Sequence, residues 1–271
     1  MASRDDIRAA GRVLLGSLFP PRCLGCLGHM PFQPALDRSL GSPDGPDTED
    51  ARWFCLACLA ALVHIERPRC ASCALPLTPF LDTPSSAWAL TCPECAAASP
   101  AWGCARAPFA YEGPVQAAIR RLKFDGDRGA AEGLGALMSG WIVGGDPPTT
   151  APRSPVVVPV PSSASRVRLR GYNPAALLAG EVARRSGWRC EVDGLLRPGD
   201  EGAAPQRSLS RAERLGNLQG AFVADQRRVG GARVVLIDDV LTTGATAIEA
   251  TRALSEVGAR VWLVLVAARS S

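Results

Sequence analysis

The stretch from Val234 to Thr246 constrains this chain most. It reads Val-Val-Leu-Ile-Asp-Asp-Val-Leu-Thr-Thr-Gly-Ala-Thr: a short apolar run, two adjacent acids, a Thr/Gly turn, then a helical pattern. An apolar run without alternation fits a strand buried on both faces, as in a parallel sheet covered by helices. Such a strand delivers the carboxylates of Asp238 and Asp239 to one edge of the sheet, followed by free backbone N–H groups at a helix start. Carboxylates suit ribose hydroxyls and N–H groups suit a phosphate, so the segment is shaped to hold a ribose phosphate. Two acids ending an apolar strand are costly without a partner, which argues against a mere capping loop.

The surrounding sequence repeats the alternation. Val156 to Val160 reads as a strand, and Asn173 caps a helix that has Pro174 at its first position and Gly187 beyond its end. Trp188 to Val192 is a candidate strand, Ala245 to Val257 a helix followed by Gly258, and Val261 to Val266 a further strand. Upstream, Phe109-Ala110-Tyr111 fits a short strand, and Pro114 starts a helix with Val115, Ala118, Ile119 and Leu122 inward. Strands alternating with helices predict an α/β fold with a parallel sheet flanked by helices. Gly144 to Pro155 reads as a linker, Pro31 to Asp50 as a flexible insert, and residues 3–19 as a short amphipathic helix capped by Ser3 and ended by Pro20-Pro21.

Eight of the ten cysteines form four C-x₂-C knuckles: Cys23/Cys26, Cys55/Cys58, Cys70/Cys73 and Cys92/Cys95. The two-residue spacer points both thiolates at one tetrahedral ion, and two such turns complete a Cys₄ shell. Four knuckles therefore predict two structural zinc sites. Sequential and crossed pairings both satisfy two ions; sequential is the simpler. A redox C-x-x-C belongs at a helix start in a thioredoxin-like unit, and four copies in a loop-rich segment argue against that. With eight thiolates available, His29 and His64 are expected to be non-ligands, and Cys104 and Cys190 ordinary buried thiols.

Charge is unevenly placed. Residues 1–104 carry 8 Arg against 10 acids, and residues 105–271 carry 22 basic residues against 16. Any anion-binding surface therefore belongs to the C-terminal part. Lys123 is the only lysine among 30 basic residues, which singles it out as a phosphate ligand to weigh against a plain surface lysine. No apolar run reaches the roughly 18 residues of a membrane span. Asp5, Asp6, Arg8 and Arg12 break up any signal peptide. Together with cysteines spaced for metal, this predicts a cytoplasmic protein.

Val235 to Thr246 resembles the signature of type I phosphoribosyltransferases, which bind 5-phosphoribosyl 1-pyrophosphate (PRPP). The resemblance implies that Asp238 and Asp239 meet the ribose 2′- and 3′-hydroxyls. It implies that Thr242, Thr243, Gly244, Ala245 and Thr246 hold the 5′-phosphate, and that Mg²⁺ accompanies PRPP. Four knuckles ahead of such a domain resemble the ComF family of double-zinc-ribbon, phosphoribosyltransferase-like competence proteins. Leu122-Lys123-Phe124-Asp125-Gly126 is similar to the family's Leu-Lys-Phe-x-Gly stretch. Val158-Pro159-Val160-Pro161 and Arg170-Gly171-Tyr172-Asn173 are similar to its Val-Pro-Val-Pro and Arg-Gly-Phe-Asn-Gln motifs. Gln206, Leu209, Arg214, Asn217, Ala221 and Phe222 match a further pattern. Tyr172 stands where Phe is commoner, and Pro174 where Gln is.

The implied organisation is an N-terminal helix over 1–21, a double zinc ribbon over 22–104 and a phosphoribosyltransferase-like domain over 105–271. Arg166, Arg168 and Arg170, in the loop expected after Val160, are candidates to neutralise pyrophosphate. Lys123, Arg170, Gln206 and Arg214 are the catalytic candidates, and Gln206, Arg211 and Arg214 lie on a polar connection that could close over the ligand. The resemblance implies a PRPP-binding protein linked to natural competence and the handling of single-stranded DNA, with DNA-uptake proteins as partners. The alternative is an active transferase moving phosphoribose from PRPP to an acceptor.

Overall fold

The computed structural model describes residues 22–30, 52–77, 90–143, 154–198 and 220–270. The expected N-terminal helix, the insert over 31–50 and the positions Gln206, Leu209, Arg211, Arg214 and Asn217 lie outside the described residues. The elements, in chain order, are α1 (Leu56–Ala60), α2 (Pro93–Ala98), β1 (Cys104–Arg106), β2 (Phe109–Ala110), α3 (Gly113–Arg120), a π-helical turn (Arg121–Asp125), α4 (Ala130–Val143), β3 (Val156–Pro159), α5 (Ala164–Arg170), α6 (Pro174–Ser186), β4 (Arg189–Cys190), β5 (Leu195–Leu196), β6 (Val223–Ala224), α7 (Gln226–Val229), β7 (Arg233–Leu241), α8 (Ala245–Glu256) and β8 (Arg260–Arg269).

The main sheet runs β1-β8-β7-β3-β4, with β2 pairing farther along β8. Every pair in it is parallel. β5 and β6 make a separate antiparallel ribbon. Successive strand residues face opposite ways, and the core divides accordingly. Val157, Val235, Ile237, Leu263 and Leu265 pack with Ile119, Met138 and Leu178 from α3, α4 and α6. Val156, Val158, Val234, Leu236, Val264 and Val266 pack with Ala250, Ala253 and Leu254 of α8 on the other face. The strands read as unbroken apolar runs because both faces are buried.

The cysteine-rich segment is fastened to this sheet. Cys23, Leu24 and Phe54 join the core on the α3 side, and the N–H of Ala105 in β1 donates to the carbonyl of Ala71 at 3.0 Å.

Two features differ from the sequence expectations. β7 does not stop before the acids: Asp238 pairs with Val266 and Leu241 with Arg269 along β8. The long apolar run of β8 supplies a ladder for those extra residues. Residues 164–170 form the helix α5, capped by the Ser163 side chain, where a loop was expected. α4 is apolar nearly all round and is buried over most of its first nine residues. Its Gly135 lets it approach α6 closely: a Cβ there would lie 2.6 Å from Glu181 Cγ.

Candidate functional site

The four knuckles pair sequentially. Cys23, Cys26, Cys55 and Cys58 form one group and Cys70, Cys73, Cys92 and Cys95 the other, with the sulfurs of each within 4.8 Å of one another. The Cys26–Cys55 and Cys73–Cys92 sulfurs are 3.8 Å apart. That is far beyond a disulfide bond and matches the edge, about 3.8 Å, of a tetrahedron with metal–sulfur bonds near 2.3 Å. Backbone N–H groups point at the sulfurs: Gly25 and Cys55 donate to Cys23, and Cys92 to Cys70, each at 3.3 Å.

Charge is shared unequally within each group. Burial pushes the Cys23 thiol up, but donors from Cys26, Cys55 and Gly25 outweigh it and bring it down to about 7. The Cys70 thiol falls to about 4, chiefly through its bond with Cys73. Cys58 is pushed up, first by burial, and Cys73, first by Cys70. Four crowded thiolates repel, and a dication removes the conflict. Both clusters fit Zn²⁺. Neither His29 nor His64 belongs to a cluster among the described residues; His64 stacks on Phe109 with ring centroids 4.8 Å apart. Burial raises the thiols of Cys104 and Cys190, in keeping with unreactive side chains.

At the carboxyl end of β7 a small cleft is lined by Val160, Asp238, Thr242, Gly244 and Thr246. Gly244 takes the left-handed conformation, φ 79°, and stands at the N-cap of α8. The Thr243 hydroxyl accepts from the N–H of Ala245 at 3.3 Å. The loop and helix start therefore present N–H donors to the cleft.

The two acids go different ways, as neighbours in a strand do. Asp238 lines the cleft, and its own Oδ1 accepts the N–H of Asp239 at 2.8 Å. Burial, then the neighbouring Asp239 carboxylate, push its carboxyl up to about 7. Asp239 turns beside it to Lys123, whose Nζ lies 2.7 Å from its Oδ1 and whose charge also reaches Asp238. Lys123 is thus brought to the site from the π-helical turn after α3.

The Arg170-Gly171-Tyr172-Asn173 motif locks that turn in place. Arg170 ends α5 and lays its guanidinium over Phe124, 5.0 Å from the ring centroid. Gly171 is left-handed, φ 77°. The Tyr172 hydroxyl donates to the Leu122 carbonyl at 2.6 Å, a bond a Phe could not make. Asn173 caps α6 and donates to the carbonyl of Val160 at 2.9 Å, tying α6 to the end of β3. Burial, first, and Arg166, second, lower the Arg170 pKa, while Asp239 counteracts them. Arg166 and Arg168 are exposed on α5.

Three further residues connect the clusters to the cleft, and the sequence reading missed them. Trp102 donates its indole N–H to the carbonyl of Ser72, inside a knuckle, at 2.6 Å. A Cβ on Gly244 would lie 3.8 Å from the same indole. Arg269, 8% exposed, donates to the carbonyls of Cys73 at 3.0 Å and Leu241 at 3.1 Å. Arg121 donates to the carbonyls of Leu24 and, at 3.0 Å, Gly25 in the first knuckle. An arginine closing the apolar run of β8 was a readable signal. Trp102 and Arg121 offered none.

No family model matches the chain. DNA utilization protein YhgH of Salmonella typhi is 29% identical over 218 residues, spanning 77% of this chain and 95% of that protein. Competence protein F of Haemophilus influenzae is 26% identical over 220 residues, covering 77% and 94%. Competence protein ComFC of Bacillus subtilis is 32% identical over 157 residues, covering 56% and 58%.

The chain is similar to ComF-type competence proteins. Its fold is a parallel sheet flanked by helices, fastened to two Cys₄ clusters. Among solved structures, the allosteric regulatory enzyme of purine biosynthesis is 24% identical with a TM-score of 0.35, over 51% of this chain and 25% of that one. Glutamine PRPP amidotransferase from B. subtilis is 24% identical with a TM-score of 0.32, over 49% and 24%. Among the described residues, no helix is long and apolar enough to cross a membrane.

Proposed function

We propose that this ComF-type protein binds PRPP or a closely related ribose phosphate with Mg²⁺, holds two structural Zn²⁺ ions, and acts in the cytoplasm in the handling of single-stranded DNA. The observation that carries the pocket is the convergence of three groups at the end of β7. Asp238 lines the cleft, Lys123 pairs with Asp239 beside it, and Thr242–Thr246 forms a loop entering α8. In this reading the loop N–H groups and threonine hydroxyls hold the 5′-phosphate. The carboxylates of Asp238 and Asp239 take the ribose hydroxyls, and Lys123 and Arg170 face the pyrophosphate. Mg²⁺ would be held between pyrophosphate and ribose and neutralise negative charge there.

The DNA part draws on the relatives, whose names are DNA utilization protein and competence protein, and on the basic C-terminal half. The zinc part draws on the geometry of the two Cys₄ clusters.

Calorimetric titration with PRPP and Mg²⁺ tests the pocket. Wild type should bind and the double variant Asp238→Ala/Asp239→Ala should not; no binding by wild type sinks the assignment. Metal analysis should return about two zinc ions per chain.

A further inference from the structure

Phe124 is 66% exposed. One exposed apolar residue is ordinary, but this ring is held in place. It sits on the π-helical turn whose other residues are pinned. Leu122 is fully buried and its carbonyl takes the Tyr172 hydroxyl, Lys123 is paired with Asp239, and the left-handed Gly126 ends the turn. π-Helical turns inside helices often re-aim side chains at functional sites.

Arg170 covers one face of the ring. With that face covered and two thirds of the residue still exposed, the rest of the ring is open to a flat partner. A phenyl ring backed by a guanidinium is a good surface for a planar, electron-rich base. Its setting is cationic. Arg166, exposed and one helical turn before Arg170 on α5, shares its face, and its charge reaches Arg170. The combination of an aromatic platform and cations for phosphates is how single strands are held without base-edge readout. A double helix keeps its bases stacked and offers no free base face.

We infer that Phe124 and Arg170 form a stacking platform for an unpaired base of single-stranded DNA, with Arg166 meeting an adjacent phosphate. This rests on the DNA-handling reading above and adds the place where the strand is gripped. It also sets that grip at the rim of the ribose-phosphate cleft, since Phe124 follows Lys123 in the chain and Arg170 feels the charge of Asp239.

The test is anisotropy titration of a labelled oligothymidylate with the full chain, at several salt concentrations. Wild type, Phe124→Leu, Phe124→Trp and Arg166→Gln are compared. Leu keeps an apolar side chain and removes the π-face, so it separates base stacking from docking of an apolar protein surface. Phe124→Leu should weaken binding about tenfold with the salt slope unchanged, and Phe124→Trp should retain it. Arg166→Gln should lower the slope by about 0.7, the value of one single-strand phosphate. Wild-type binding that is indifferent to Phe124→Leu overturns the platform and leaves the DNA reading standing. No wild-type binding, or preference for duplex, overturns both. The PRPP titration is read independently of either. Unchanged metal content and melting temperature show that the variants fold.

Discussion

The guanidinium of Arg269 joins the carbonyl of Cys73 to the carbonyl of Leu241. Cys73 belongs to the second cysteine cluster, and Leu241 is the last residue of β7 before the Thr242–Thr246 loop. One buried side chain therefore spans a metal-type cluster and the phosphate-type loop. Arg269→Gln should keep about two zinc ions per chain yet speed amide hydrogen exchange over 242–246 about tenfold. Stripping metal from the wild type with a chelator should speed exchange over the same residues. Unchanged exchange in both would show that the contact transmits nothing.

Trp102 makes a second link, from the Ser72 carbonyl to the neighbourhood of Gly244. Trp102→Phe keeps an aromatic ring but leaves that carbonyl without its donor. A loss of about 1–2 kcal/mol is expected from urea unfolding.

Gly25 lies where the first cluster meets α3. A Cβ there would be 2.7 Å from both Cys58 Sγ and Pro114 Cβ. Gly25→Ala should displace a ligand and reduce bound zinc from about two ions per chain to about one, as read by atomic emission.

Removing Lys123 leaves Asp239 facing the raised carboxyl of Asp238 without its cation. Lys123→Met should cost about 1–3 kcal/mol of stability, less than a fully buried pair because both groups keep some solvent contact, and should abolish PRPP binding in calorimetry.

Asp238 makes stability depend on pH in a definite direction. Its carboxyl ionises at about 7 in the folded chain against 3.8 for an ordinary aspartate. Between those values the folded state binds more protons than the unfolded state, so this group's contribution falls as pH rises through the window and is level above it. In Asp238→Asn that loss is absent. The variant should gain stability relative to wild type as pH rises from about 4 to 7, measured by urea unfolding across that range.

Much of the architecture was legible in the sequence. The apolar runs of β3, β7 and β8, the Asn173-Pro174 helix start and the C-x₂-C spacing each reflect a local rule. The sequential pairing of knuckles was not, because it depends on which turns lie together in space. The extent of β7 was missed because two acids look like the end of a strand. Whether a strand continues is decided by its neighbour, and β8 runs on through Arg269. α5 was read as a loop because its arginines suggested solvent, although Ser163 is a good N-cap. Lys123 was singled out by rarity, but its place beside Asp239 rests on a π-helical turn that spacing does not announce.

Asp238 and Asp239 stand within a hydrogen-bonded strand, which makes their chemistry a matter of counting residues. One residue inserted or deleted upstream in β7 would exchange the two carboxylates between faces of the sheet. Asp239 would take the cleft and Asp238 the lysine, with the loop displaced by a strand step. Length change along this lineage should therefore be barred between Arg233 and Leu241, however conservative the added residue.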